Sequence, residues 1–460
     1  MEEIFDVIVI GAGPGGYTAA IKAAKEGLHT AIIEKERVGG TCLNRGCIPA
    51  KTMIYMSSLY REMKEKETLG IFSAGVRYDY RKILEYKEHT IDRLCSGVEH
   101  LLKLYGVTVI RGKGILEKNR RVKVISETEE KSYGGKHIIL AAGAKPRILS
   151  NDFPKVMTSD ELFQLERVPE SILIIGGGII GTEFAGIFVD LGSKVTIIET
   201  CERLLPNMDR EISRNLELIL RKRGIEIHTL SSVQCIEQDI RGYTCVFNEN
   251  GKLMETSARF VLCAVGRYSN VENLFTEEAE PLMDEGYIAV DQNFCTSIKG
   301  VYAIGDLIKG KQLAHLASAQ GICVADKIAG RKISVDLRTI PECVYTNPEI
   351  ASVGLTEDEA KKQGIDIRVG KFNMNVNGKS IISGGERGFI KVLVENETDM
   401  IIGAQMMCER ATDMIGEFVT AIVNQMTAKQ LIRGVRAHPT YNEGVSEALK
   451  AASQNSIYKI

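Results

Sequence analysis

Tryptophan is absent from this 460-residue chain, proline occurs only 10 times, and no apolar run approaches the roughly 20 residues that a membrane-spanning helix needs. Set against 44 glycines, so little proline argues against Pro-rich linkers and for many tight backbone turns. Net charge is nearly absent too. With 58 basic and 60 acidic residues interspersed, the formal −2 gives no long-range field to draw in nucleic acid or an anionic membrane. The start, MEEIFDVIVIGAG, lacks a basic stretch and resembles neither a signal nor a transit peptide. A disulfide framework is missing as well: the eleven cysteines are odd in number and scattered, which suits a reducing compartment such as the cytoplasm. Nine of them (Cys95, Cys201, Cys235, Cys245, Cys263, Cys295, Cys323, Cys343 and Cys408) stand alone and read as small buried hydrophobes. Only Cys42 and Cys47 lie close together.

What is present is a repeat. An apolar strand (Val7–Ile10, then Ile172–Ile175), a Gly-rich turn, a helix and a second strand ending in an acid occur twice, 165 residues apart. In each copy the acid, Glu34 or Glu199, lies 23 positions after the first glycine, which marks two dinucleotide-binding units. Between them the sequence predicts a helix over Tyr80–Lys103 and strands over Val107–Ile110, Arg121–Ser126 and His137–Ala141, leading to a turn at Ala142–Pro146. Beyond the second unit, Phe260–Ala264 and Gly300–Ile304 read as short strands. From about Thr339, alternating strands and a helix at Met414–Asn424 suggest an α+β domain. The expected fold is therefore α/β with an α+β C-terminal domain, divided at 1–145, 146–270, 271–338 and 339–460.

Gly11-Ala12-Gly13-Pro14-Gly15-Gly16 fits G-x-G-x-x-G, whose glycines allow a pyrophosphate to approach the next helix N-terminus while Glu34 meets ribose hydroxyls. Gly176–Gly181 repeats the fingerprint, and an acid at position 199, where an NADP site favours arginine, points to NAD. Glu183 has two readings, a cofactor-site acid or a solvated first-turn acid complementing the helix dipole. Gly39–Lys51 (GGTCLNRGCIPAK) carries the cysteine pair on a loop entering a helix. Metal is disfavoured because no second Cys or His pair completes a ligand set, whereas a redox disulfide fits. Five positions at about 100° each leave the two side chains ~140° apart on a regular helix, so bridging them requires a distorted turn, and such strain eases reduction. Near the C-terminus, His438 and Glu443 flank a Pro-containing turn, a candidate acid/base dyad in which the carboxylate fixes the imidazole tautomer.

Together these motifs resemble the pyridine nucleotide:disulfide oxidoreductases over essentially the whole chain. Within that family they look like the dihydrolipoamide dehydrogenases, on the segments Gly39–Lys51, Gln312–Gly321, Val344–Thr356 and Ala437–Glu443. The resemblance implies two Rossmann-like domains, one binding FAD and one NAD, plus a C-terminal α+β dimerisation domain. It implies FAD on Gly11, Gly13, Gly16, Glu34, Gly40, Thr41, Lys51, Gly114, Asp306 and Ala314, and NAD on Gly178, Gly181, Glu183, Glu199, Val233 and Gly266, with Gly143 and Arg267 as further cofactor-binding positions. Lys51 would lie near flavin N5 and pair with Glu183. Cys42, Cys47, His438 and Glu443 would be catalytic, with His438 serving the other subunit of a homodimer. The implied reaction is flavin-dependent oxidation of protein-bound dihydrolipoamide with reduction of NAD⁺, in a 2-oxo acid dehydrogenase complex or glycine cleavage system. The alternative is an NAD(P)H-dependent reductase of another low-molecular-weight disulfide. Because the chain begins at the FAD strand, the lipoyl group is expected on a separate lipoyl domain or carrier protein; nucleic acid and membrane are not expected partners. Three positions depart from the family pattern: Arg45, Ala50 and the Tyr441-Asn442 pair, and Arg45 is placed to alter thiol acidity.

Overall fold

The computed structural model describes residues 3–65, 70, 72, 75–149, 153–333, 335–385 and 387–453. Its first sheet has the order Thr108–Arg111, Thr30–Glu34, Ile4–Ile10, Glu130–Leu140, Arg121–Ile125, Lys113–Glu117, and Val301–Ala303 pairs with Glu130–Leu140. The strand Ile4–Ile10 runs parallel to both neighbours, and Val7–Ile10 is wholly buried, which is why that stretch is continuous in apolar residues. Two antiparallel hairpin strands extend this sheet at one side. The expected strand at His137–Ala141 is the last part of the eleven-residue strand Glu130–Leu140. Its first half, EKSYGG, is polar because it pairs at that hairpin edge rather than in the core.

The second unit is a five-stranded sheet ordered Glu226–His228, Lys194–Ile198, Ser171–Ile175, Phe260–Cys263, Met157–Thr158, parallel throughout. An antiparallel meander, Ser231–Asp239, Gly242–Glu249 and Lys252–Ala258, is inserted before Phe260–Cys263. The chain crosses between the units along two short strands, Ala144–Pro146 and Arg267–Ser269, which pair antiparallel. The C-terminal part is a five-stranded antiparallel sheet with Ala411–Val423 packed on Ile350–Gly354 and Ile401–Met407, and Glu443–Ala452 packed on Ile367–Asn373 and Phe389–Glu395. Among the described residues, no helix is long and apolar enough to cross a membrane.

Both Gly-rich turns lie at the carboxyl ends of parallel strands, where open α/β sheets leave a crevice. Gly16 and Gly181 are needed for packing: a Cβ on either would sit 1.9 Å from the carbonyl oxygen of Gly11 or Gly176, the first residue of its own turn. The first glycine helix, Pro14–Lys25, also lies tight on Ala314–Ile328, since a Cβ on Gly321 would come within 2.5 Å of the Gly15 carbonyl oxygen.

Candidate active site

The redox loop solves the expected problem of side-chain direction by breaking the helix. Gly40–Arg45 forms one short helix, Gly46 departs from helical geometry (φ −141°, ψ −105°), and Cys47–Glu65 begins a second helix. Cys42 and Cys47 therefore belong to different helices. Gly46 turns close against the first of them, leaving only 2.9 Å between an added Cβ and the Thr41 carbonyl oxygen. Asn44 fastens the loop by donating to the carbonyls of Gly40 (2.9 Å) and Val38 (3.1 Å).

The two thiols are free and hydrogen-bonded to each other, and they are unequal. The bond from Cys42 lowers Cys47 to about 7; burial opposes this and the Lys51 ammonium assists it. Cys42 is pushed strongly upward, first by holding the shared hydrogen and then by burial. Lys51, one helical turn beyond Cys47, donates to both oxygens of Glu183 at 2.7 and 2.9 Å. Glu183 is only 4% exposed, so the solvated-acid reading of this residue is replaced by a buried carboxylate paired with the half-buried Lys51 across the first and second units. Sequence reasoning missed Tyr345, whose N–H donates to Glu183 at 3.0 Å and whose ring lies 4.7 Å from the Lys51 ammonium. Its segment, VYTNPEIASVGLT, was conspicuous, but no spacing rule connects it to a lysine almost 300 positions earlier.

Arg45 is directed elsewhere. Its guanidinium pairs with Glu36 (2.6 Å) and Asp160 (3.3 Å), while the largest influences on Cys47 are Cys42, Lys51 and Glu183. Asp160 also faces Arg267 at 3.6 Å, so Arg45 joins the first unit to the second instead of acting on the thiols. Ala50 is a buried core residue, and Tyr441 and Asn442 bond Ser383 and Glu417.

The two acids of the repeat are held alike. Glu34 accepts from the N–H groups of Ala12 (2.7 Å) and Glu36 (2.9 Å), and Glu199 accepts from Gly177 (2.6 Å) and Cys201 (2.7 Å). Each carboxylate thereby stays fixed beside its turn with lone pairs left for hydroxyl donors. Gly13 and Gly178 are the N-caps of their helices and contribute no side-chain cap, so the N-terminal amides face a bare crevice, as a dinucleotide pyrophosphate requires. Gly40 closes on Gly13 so tightly that a Cβ on it would lie 2.6 Å from the Gly13 Cα, and Thr41 follows it on the same helix. Gly114 faces Ile10 and Ile33, where a Cβ would meet both at 3.1 Å. Gly143 and Gly266 hold positive φ at the crossing strands, and Arg267 donates to the Ala144 carbonyl at 2.7 Å. Asp306 stands in the turn after Val301–Ala303; burial pushes its carboxyl upward, opposed by Arg267, and it acts electrostatically on Cys42. Ala314 opens the next helix without a side-chain cap, and the adjacent Gln312 amide nitrogen is buried with no protein partner. Val233 is half-buried beside a bulge of the meander. These features fit a dinucleotide at each crevice: uncapped amides, fixed carboxylates and an orphaned donor.

His438 and Glu443 form their pair, Nδ1 to Oε1 at 2.8 Å, and the second Glu443 oxygen accepts from Thr440 N–H at 2.9 Å. The histidine side chain is 77% exposed and is not among the largest influences on either thiol.

Residues 5–321 match the family model described as pyridine nucleotide-disulphide oxidoreductase, and residues 340–449 match that family's dimerisation domain. A dihydrolipoyl dehydrogenase of Bacillus subtilis is 38% identical over 99% of both chains, and one of Zymomonas mobilis is 37% identical over the full length of both. Among solved structures, LpdA from Mycobacterium tuberculosis superposes with a TM-score of 0.89 at 26% identity, covering 96% of this chain and 99% of that one. The HOCl-induced flavoprotein disulfide reductase RclA from Escherichia coli, in a Cu(II) complex, gives 0.87 at 27% identity over 99% and 100%. With a paired dithiol beside two dinucleotide crevices and matches spanning nearly its whole length, the chain belongs to the pyridine nucleotide-disulphide oxidoreductase family.

Proposed function

We propose that this protein oxidises dihydrolipoyl groups, carried on a lipoyl domain or carrier protein, to lipoyl groups with reduction of NAD⁺ to NADH, as a component of a 2-oxo acid dehydrogenase complex or glycine cleavage system. The observation that carries this reading is the asymmetric thiol pair, with Cys47 acidic at about 7 beside the Lys51–Glu183 ion pair. It is supported by the full-length likeness to proteins named dihydrolipoyl dehydrogenase.

In this mechanism His438, its Nδ1 held by Glu443, takes a proton at Nε2 from one substrate thiol. The substrate thiolate attacks Cys42 Sγ of the oxidised pair, forming a mixed disulfide and breaking the Cys42–Cys47 bond. Cys47 leaves as a thiolate, which Lys51 favours. The second substrate thiol, deprotonated in turn, attacks the substrate sulfur of the mixed disulfide, closes the lipoyl ring and releases Cys42, which recovers a proton. FAD, when bound on Gly11–Gly16, Glu34, Gly40, Thr41, Lys51, Gly114, Asp306 and Ala314, supplies the two-electron carrier between this dithiol and NAD. NAD would be held by Gly178, Gly181, Glu183, Glu199, Val233 and Gly266. His438 works on the cysteines of the partner subunit in a homodimer, as its exposure and its place in the dimerisation domain suggest.

The test is anaerobic addition of dihydrolipoamide to the flavin-loaded protein, followed by NAD⁺. A long-wavelength thiolate-to-flavin band and then NADH are expected, with NADP⁺ inert. If dihydrolipoamide leaves the flavin oxidised while NADH reduces it, the protein is a reductase of another disulfide.

A further inference from the structure

Tyr345 directly follows the strand Glu342–Val344 of the C-terminal sheet, yet it touches both members of an ion pair belonging to the other two units. Its backbone N–H donates to Glu183 Oε1 at 3.0 Å, and its ring takes the Lys51 ammonium at 4.7 Å from the centroid. The same ammonium donates to both Glu183 oxygens. One residue therefore holds the carboxylate through its main chain and the ammonium through its ring face.

A lysine ammonium is a hydrated point charge on a flexible stem, and one carboxylate alone lets it swing about that contact. An aromatic face on its other side, carrying a negative quadrupole, removes that freedom. Burial pushes the Tyr345 phenol up to about 12, so the ring stays neutral through the working pH range. The groups that set the acidity of Cys47 are Cys42 from the preceding short helix, Lys51 and the Cys47 main chain from its own helix, and Glu183 from the second glycine helix, while the Tyr17 and Tyr345 phenols, both raised, face the cysteines as neutral groups. Glu183 opposes the thiolate and Lys51 favours it, so the place of the ammonium sets their balance.

We propose that Tyr345 is a positioning residue that clamps Lys51 against Glu183 and so fixes the ammonium where it stabilises the Cys47 thiolate. The inference rests on Cys42 and Cys47 being the redox dithiol, and it adds to that reading a specific determinant of thiol acidity from the C-terminal domain.

The test measures the pH midpoint of Cys47 ionisation in anaerobically reduced, flavin-loaded protein. It is read from the long-wavelength band and independently from iodoacetamide alkylation of Cys47, located by peptide mass. Tyr345→Phe, which keeps the ring face, holds the parent midpoint. Tyr345→Leu raises it by about half to one unit, a three- to tenfold loss of thiolate at a fixed pH below the midpoint. Phenylalanines of increasing ring fluorination at position 345 keep the shape while weakening the quadrupole, so they guard against a folding defect in the leucine variant; they raise the midpoint stepwise. A flat fluorination series, or a phenylalanine variant shifted as far as leucine, overturns the clamp. A parent protein lacking both the band and an acidic Cys47 overturns the dithiol reading underneath it, whereas an acidic Cys47 indifferent to position 345 overturns this inference alone.

Discussion

Glu443 accepts one hydrogen bond on each oxygen, from His438 and from the Thr440 amide, and Asn377 steadies the same Thr440 by donating to its carbonyl at 3.1 Å. Although burial pushes the Glu443 carboxyl up, Thr440 and His438 outweigh it and hold it below its usual value, so it is ionised at neutral pH and fixes the orientation of the His438 ring through Nδ1. Glu443→Gln removes that charge. We expect dihydrolipoamide oxidation to fall about a hundredfold, while NADH-driven reduction of an artificial acceptor is unchanged. Stopped-flow rates check both. The thiols make a second residue-level case: in the reduced protein, alkylation of Cys47 should reach half its maximal rate near pH 7, where Cys42 remains protonated. Comparable alkylation of both cysteines at neutral pH would contradict their asymmetry. His438, Glu443 and the cysteine pair were legible because each pair sits within a few positions of one loop. Glu183 was not settled by sequence, since a first-turn acid carries the same letter whether it meets water or a lysine 132 residues away.

At the scale of elements, the two strand–turn–helix units were legible because they follow a local pattern: strand, bare glycine turn, helix, and an acid at a set distance. That pattern makes Gly16 and Gly181 separable probes. Gly16→Ala forces its helix away from the Gly11 carbonyl, and Gly181→Ala does the same at Gly176. The first should purify with little flavin. The second should keep its flavin and lose roughly ten- to a hundredfold in NADH affinity, about 1.4–2.7 kcal/mol. Flavin absorbance and NADH titration separate the two outcomes, and flavin loss from the Gly181 variant would refute the division. The long helix was equally legible: Tyr80–Leu104 starts where Asp79 caps it and buries Tyr80, Ile83, Lys87, Ile91, Cys95, Val98 and Leu102 at helical spacing. The meander Ser231–Ala258 was missed because its apolar face is thin: Ile236, Cys245, Phe247 and Ala258 are buried against the second sheet, but polar residues such as Gln234, Glu237, Thr244 and Glu255 interrupt any long alternation. The break at Gly46 was foreseen only as a distortion; sequence spacing shows that two side chains diverge on a regular helix, but not how the chain relieves it.

At the scale of the molecule, the units are tied by buried charges that no local pattern announces. Lys391, 4% exposed at the centre of the strand Phe389–Glu395, donates to Asp209 in the second unit and to Glu357 in the C-terminal domain. Lys391→Ala leaves the buried Asp209 without that partner and should cost about 3–5 kcal/mol, visible as a lower thermal midpoint with the isolated redox chemistry intact. These ties fix the C-terminal domain on its own chain, and in that docked position the His438 side chain is exposed. His438 lies in the part of the chain that matches the family's dimerisation domain, so the prediction is that a second copy arranged about a two-fold axis completes the site, each chain lending its dyad to the other. Mixing Cys42→Ser and His438→Gln chains tests this directly, because either homodimer has no intact site. In a hybrid with shared sites, the cysteines of the His438→Gln chain meet the histidine of the Cys42→Ser chain, and one of the two sites is whole. Random reassociation makes half the dimers hybrid, so activity should recover to about a quarter of the parent rate. If each chain used its own His438, both sites of every hybrid would be broken and the mixture would remain as inactive as its components.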